Sequence, residues 1–191
     1  MEESKILFTN YKEEMLLPKN ATWLAAEQGN PEAQYDLGYM YYYGKGVAKD
    51  YSKAAELWEK AAEQENPEAQ YNLGYMYFHG DGVPQDYSKA KEWYSKAAEQ
   101  GNPDAQFMLG YMHYNGYGVP QDDSKAAEWY TKAAEQGHPD AQAFLGSMYA
   151  RGEGVAQDYS KAAELLTKAA EQEPTVPDFT PDTSQNPTSD I

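Results

Sequence analysis

Apolar residues recur along this chain at helical spacing, and the whole pattern repeats every 36 residues. In the stretch 31–66, Ala33, Leu37 and Tyr41 stand four residues apart, which places them on one face of a helix. The pattern returns without a gap in three later stretches, at 67–102, 103–138 and 139–172. Four copies of this kind predict a stack of equivalent units in place of a domain with one central core.

Each unit contains signals for two antiparallel helices. The first helix is predicted to open at Asn30 and Pro31, because Asn is a favourable N-cap and Pro suits the first helical position. It is predicted to end at Gly44-x-Gly46, since glycine reaches the left-handed backbone conformation of a helix terminus. Asp50 is the predicted N-cap of the second helix.

Small and large residues alternate on the faces that the two helices would share. The predicted buried face of the second helix contains Ala54, either Leu57 or Trp58, and Ala61. Gly38, next to a predicted core leucine, would let the two helices approach closely. Neighbouring units must then stack to cover the remaining apolar faces, which predicts an all-α, right-handed α/α solenoid.

The two ends of the chain depart from the repeat. Residues 1–30 contain a helix-like stretch, Glu3–Leu17, and then Ala21–Gln28, which matches the end of a second helix. We therefore expect 1–30 to form N-terminal capping helices, as a degenerate repeat. Residues 173–191 hold four prolines among Ser, Thr and Asp, and predict a flexible acidic tail.

The repeat resembles the Sel1-like repeat, a relative of the tetratricopeptide repeat. In the first unit the shared motif is carried by Ala33, Leu37, Gly38, Tyr41, Gly44, Gly46, Val47, Asp50, Lys53, Ala54, Trp58, Lys60, Ala61 and Ala62. Two later positions depart from it: His113 replaces the helix tyrosine, and Leu166 replaces the aromatic residue at the Trp58 position. The resemblance implies an α/α superhelix that acts as an adaptor or scaffold and names no partner.

Composition and charge narrow the class of partner. Hydrophobic residues make up 41% and aromatic residues 14% of the chain, with 18 Tyr, which is too much for a disordered protein. The formal net charge is -16, so the surface repels nucleic acid and anionic lipid and favours basic proteins. The alternative is that the acidic residues only keep the protein in solution.

Residues that carry catalysis or bind metal are sparse. The chain has no Cys, which excludes thiolate zinc sites, and its three His share no spacing. No Walker loop, G-x-S-x-G or H-E-x-x-H is present. We expect no enzyme activity, no cofactor and no metal. Residues 1–11 lack a signal-peptide pattern and no stretch reaches about 20 apolar residues, which predicts a soluble, cytoplasmic protein. We also expect it to be a monomer.

The resemblance to tetratricopeptide repeats implies a partner-binding groove on the concave face, lined by the first helix of each unit. The predicted partner-binding residues are Tyr35, Tyr39, Tyr42, Tyr43, Tyr71, Tyr75, Phe78, His79, Phe107, Tyr111, Tyr114, Asn115 and Arg151. An acidic rim would come from Glu32, Glu68, Asp104 and Asp140. The alternative is that these rings are ordinary core.

The fourth unit differs at these groove positions, because it places Ala143, Ser147 and Ala150 where the others place aromatic residues. We therefore expect units one to three to bind a protein or peptide with apolar anchors and nearby Lys or Arg. The alternative function is an inhibitory or immunity protein that masks a basic toxin or enzyme.

Overall fold

A computed structural model describes residues 19–172, and within that range all regular structure is helical. The helices are α1 (Lys19–Glu27), α2 (Pro31–Tyr43), α3 (Tyr51–Glu63), α4 (Pro67–His79), α5 (Tyr87–Glu99), α6 (Pro103–Asn115), α7 (Asp123–Glu135), α8 (Pro139–Arg151) and α9 (Tyr159–Glu171). Each helix packs mainly on its neighbours in sequence, so the units stack in a line. The predicted all-α solenoid is confirmed over these residues.

The predicted helix boundaries are confirmed by the capping bonds. The Asn30 side chain accepts a hydrogen bond from the Ala33 N–H over 2.8 Å, and Pro31 opens α2. Gly44 ends the helix with φ 69°, in the left-handed region. Asp50 then accepts a bond from the Lys53 N–H over 3.0 Å and starts α3. The same capping pattern recurs in the other three units.

The helix pairs meet where a glycine faces a large side chain. A Cβ added to Gly38 would lie 2.6 Å from the Trp58 ring, so only glycine allows this approach. Trp58 is the buried member of the two candidates in α3, and Leu57 packs half-buried against Ala33 and Leu37. The expectation of close-packed pairs is therefore confirmed, and Trp58 occupies the centre of the pair.

A buried glutamine in each first helix joins consecutive units, a contact that the helical spacing did not predict. Gln70 is only 2% exposed, and its Nε2 donates to the carbonyl of Ala62 in the unit before, over 3.1 Å. Its Oε1 accepts from Gln100 Nε2 in its own unit over 2.8 Å. Gln34, Gln106 and Gln142 make the equivalent bonds. At each boundary between units, the buried glutamine amide therefore has hydrogen-bond partners for both its nitrogen and its oxygen.

Some predictions fall outside the described residues. The helix expected at Glu3–Leu17 and the tail expected at 173–191 lie outside them. α1 packs against α2 through the cluster of Ala26, Ala33 and Leu37. No helix between residues 19 and 172 is long and apolar enough to cross a bilayer.

Candidate partner-binding surface

Three positions, one helical turn apart, place side chains along one face of each first helix. We call the nine residues of the first three units the aromatic strip: Tyr35, Tyr39 and Tyr43 on α2; Tyr71, Tyr75 and His79 on α4; Phe107, Tyr111 and Asn115 on α6. None of the nine is fully buried, and the last one on each helix is exposed. The strip therefore offers rings to a partner along the first helices of three successive units.

The first ring of each helix is anchored on the second helix of the same unit. Tyr71 lies 5.7 Å from Tyr94 between ring centroids, and Phe107 lies 5.5 Å from Tyr130. Tyr35 stacks on its own unit's tryptophan at 6.5 Å. This packing fixes the inner edge of the strip. Each of these three rings is partly core, because it packs on the second helix, and partly surface, because it is not fully buried.

On α2 and α4 the remaining two rings pair with one another along the helix. The centroids of Tyr39 and Tyr43 are 4.5 Å apart, and Tyr43 is 53% exposed. Tyr75 and His79 lie 4.2 Å apart. Because ring faces carry partial negative charge, such pairs are suited to a cation as well as to apolar groups.

One of these pairs already holds a cation from the protein itself. Lys45 Nζ lies 4.6 Å from the Tyr39 ring centroid and 5.6 Å from that of Tyr43, and it is 3.1 Å from the Tyr39 hydroxyl. In the second unit the residue equivalent to Lys45 is Asp81. Among the cation–ring contacts within residues 19–172, none involves the Tyr75 ring.

Carboxylates lie close to the phenols of the strip. Burial raises the pKa of Tyr35, with a further contribution from Glu68 of the next unit. Burial likewise raises the pKa of Tyr75, and the charge of Asp81 adds to it. These phenols therefore stay protonated at neutral pH, as hydrogen-bond donors beside negative charge.

Three of the predicted partner-binding residues instead contact the loop of the following unit. The Tyr42 hydroxyl donates to Asp81 Oδ2 over 2.7 Å, and the Tyr114 hydroxyl donates to Glu153 Oε2 over 3.3 Å. Phe78 was expected on the binding surface but is only 8% exposed. Lacking a hydroxyl, its ring packs edge-on against Tyr117, 5.6 Å away, and becomes core.

Phe144 extends the ring surface into the fourth unit and was not among the predicted residues. It is 36% exposed and lies 5.6 Å from Phe107, edge to face. No signal marked it, because its position holds Asp36, Asn72 and Met108 in the other units.

The far end of the surface is polar. Arg151 is exposed and pairs with Glu153, with 2.8 Å between Nε and Oε2. Asn115 is exposed too, and its Nδ2 donates to the Tyr111 carbonyl of its own helix over 2.9 Å. Both predicted residues thus lie at the surface but are engaged within the chain.

The histidines lie apart from one another. His79 belongs to the strip, and burial lowers its pKa. His138 caps α8 by accepting from the Ala141 N–H over 3.2 Å, and its Nε2 lies 3.1 Å from Asp104. Among the residues that the structure describes, no three His, Asp or Glu side chains are grouped closely enough to hold a metal ion.

Sequence comparison with protein families gives four successive matches to one of them, described as "Sel1 repeat". They cover residues 31–66, 67–102, 103–138 and 139–174, well over half of the chain. No curated protein matches the sequence.

Several solved structures resemble the fold. A protective antigen of uropathogenic Escherichia coli with an SLR fold is 45% identical, with a TM-score of 0.77, over 78% of this chain and 32% of its own. A Sel1 repeat protein from Oxalobacter formigenes is 43% identical, with a TM-score of 0.73, over 80% of this chain and 44% of its own. An immunity protein from Pseudomonas aeruginosa is 28% identical, with a TM-score of 0.53, over 79% and 56%. The chain thus spans less than half the length of the first two.

Proposed function

The chain belongs to the Sel1 repeat family, and from that premise we propose that it is an adaptor whose aromatic strip binds a protein segment with apolar and basic side chains. The contact of Lys45 with the Tyr39–Tyr43 pair carries this proposal, because it places an ammonium group on two rings of the strip. The equivalent pair, Tyr75 and His79, lies beside Asp81 in place of a lysine. A lysine or arginine of the partner fits there.

Apolar anchors of the partner would contact the rings on either side of this place. Tyrosine brings a large contact area at a small cost in side-chain entropy, which suits it to binding surfaces. Tyr71 and Phe107 supply apolar surface, and Phe144 ends it in the fourth unit. Binding then centres on the first three units. We propose that this occurs in a cytoplasmic monomer and involves no catalysis.

Alanine substitutions in the strip test the proposal. Tyr75→Ala and Tyr111→Ala remove rings from the middle of the surface, and each should weaken partner binding at least about tenfold, as loss of an interface anchor does. The partner is first captured from the native cell and identified by mass spectrometry, and dissociation constants are then measured by calorimetry.

Tyr159→Ala is the matched control, because this tyrosine lies on the last helix, outside the strip. It should leave binding unchanged, and all three variants should keep the helical circular dichroism of the wild type. Wild-type affinity in both strip variants would refute the proposed surface.

A second candidate function is the masking of a basic toxin or enzyme. Two observations favour it: the likeness to an immunity protein, at 28% identity over 79% of this chain, and the net charge of -16. In this case the partner is a folded basic protein, and the strip is one part of a larger contact.

Salt dependence distinguishes a masked basic protein from a short segment. A complex dominated by opposite net charges should lose affinity on the order of a hundredfold between about 50 and 500 mM salt, mainly through slower association. The candidate also requires that the captured partner be toxic, or be inhibited, in the absence of this chain. An affinity that changes less than about threefold, or a partner without such activity, would leave only the adaptor.

A further inference from the structure

The last helix, α9, exposes a face that its equivalents bury. In the first three units this face holds a large residue that the next first helix covers: Trp58 is 2% exposed, and Tyr94 and Tyr130 are 0% exposed. The equivalent residue of the fourth unit, Leu166, is 41% exposed. The difference arises because no described helix follows α9.

The rest of this face is apolar as well. Tyr159 is 69% exposed, whereas its equivalent Tyr51 is half-buried. Ala163 and Ala170 are exposed, whereas their equivalents in α3 are 6% and 2% exposed. Terminal units of repeat arrays usually need a polar outer face. α9 instead keeps the residues of an internal unit, which marks the face as one that becomes covered. We call these four residues the end face.

The chain itself continues from the edge of this face. After α3, α5 and α7 the next few residues turn back, and the following helix covers the large side chain. After α9 the next residues are 173–191, which begin at the same point of the unit. Phe179 stands 36 residues after Ala143, so it falls at the repeat position of Tyr71 and Phe107. The prolines at 177 and 181 do not favour a copy of the usual helix there.

We propose that residues 174–181 lie across the end face, with the Phe179 ring against Leu166 and Tyr159. The segment does what the first helix of a following unit does elsewhere, and it covers apolar surface with few residues. This inference does not depend on the proposed function, because α9 lies outside the aromatic strip.

Disulfide trapping in the full chain tests the contact. Because the chain has no natural cysteine, only the introduced pair can form a disulfide within it. Leu166→Cys with Phe179→Cys places one thiol on the end face and one in the segment. The matched control is Lys168→Cys with Phe179→Cys. Lys168 is exposed and stands two residues further along α9, which turns it about 200° around the helix.

The control pair closes a shorter loop, so an unattached segment would form its disulfide at least as fast. A segment on the end face should make the Leu166 pair close at least about tenfold faster, after correction for the reactivity of each single cysteine with a small disulfide reagent. Equal or slower closure overturns the proposal. A disulfide between two molecules also overturns it, because a second copy then covers the face.

Hydrogen exchange gives an independent readout. Phe179→Ser in the full chain should speed amide exchange in α9 several-fold, because a terminal unit that loses its cover opens more often. Exchange in α4, in the middle of the array, should not change. Unaltered exchange in α9 would overturn the contact.

Discussion

The side chains of Tyr42 and Phe78 occupy the same place in consecutive units and meet different partners. The hydroxyl of Tyr42 donates to Asp81, whereas the Phe78 ring packs against Tyr117. The third unit returns to a tyrosine facing an acid, Glu153. At this position a tyrosine hydroxyl faces a carboxylate in two units, and a phenylalanine ring faces a tyrosine ring in the other.

We expect His113 to make the third unit sensitive to pH. Tyr41, Tyr77 and Tyr149 each lie under a lysine, at 5.0–5.2 Å, and His113 takes their place in the third unit. Burial lowers the pKa of His113, with a further contribution from Lys125. The folded state therefore favours the neutral ring, and stability is lost as the pH falls from about 6.5 through the lowered pKa.

His113→Tyr should remove this loss. Its melting temperature should exceed that of the wild type by about 2 °C at pH 7.5, from a restored lysine–ring contact, and by more at pH 5.5. Carboxylates titrate in both proteins, so the difference isolates the histidine. The reciprocal change, Tyr149→His, should add pH sensitivity. A difference in melting temperature that stays constant between the two pH values would contradict a role of His113 in the pH dependence.

At the scale of elements, one contact sets the distance within each helix pair. A Cβ on the glycine would lie 2.6–2.7 Å from the facing ring in the first three units, and 3.0 Å from Leu166 in the fourth. The size of the side chain that faces the glycine, and the presence of the glycine itself, therefore depend on each other.

Gly110→Ala tests this constraint. The added methyl group collides with the Tyr130 ring, and the free energy of unfolding should fall by about 1–3 kcal/mol in urea titrations. In a Tyr130→Leu background the same change should cost less, since the fourth unit packs a leucine there. A double-mutant cycle gives the coupling, and strictly additive effects would disprove it.

The sequence predicted the helix boundaries because their signals are local. Each cap bonds to a backbone group only a few residues away. The caps are the Asn or His before the first proline of a unit, the glycine that ends the first helix, and the aspartate that starts the second. The buried Gln70 escaped prediction because its partners, Ala62 and Gln100, belong to other helices. A polar residue that recurs in all four units was the available signal.

The candidate site was predicted only as far as spacing along one helix determines it. Residues four apart, such as Tyr71 and Tyr75, do share a face of α4. The burial of Phe78 depends on Tyr117, in the loop of the next unit, which helical spacing does not describe. The position of Phe144 was likewise not predicted, because the rings it contacts, Phe107 and Tyr130, belong to the preceding unit.

For the whole molecule, the net negative charge opposes folding, whereas under the proposed function it favours binding of a basic partner. The chain has 31 acidic and 15 basic residues. Ion pairs within the described range, such as Arg151 with Glu153, lie at the surface and stabilise little. Repulsion among the remaining acids therefore opposes the compact state.

Added salt should screen this repulsion and raise the melting temperature by a few degrees between about 20 and 500 mM sodium chloride. The same salt should weaken binding of a basic partner. Differential scanning calorimetry measures the first effect, and the rise should shrink as the pH approaches the isoelectric point near 4.4. A melting temperature that falls with salt at pH 7 would show that attractive ion pairs dominate.

The buried glutamines also bear on how such a chain can evolve. Each one bonds to the unit before it and to its own second helix, so a duplicated copy of 36 residues brings its own bonds and leaves none open. Tyr39, Tyr75 and Tyr111 have no part in those bonds, and Ser147 already stands at the same position in the fourth unit. Gene duplication can therefore lengthen the array without redesigning its interior, while each new copy remains free to acquire a different binding preference.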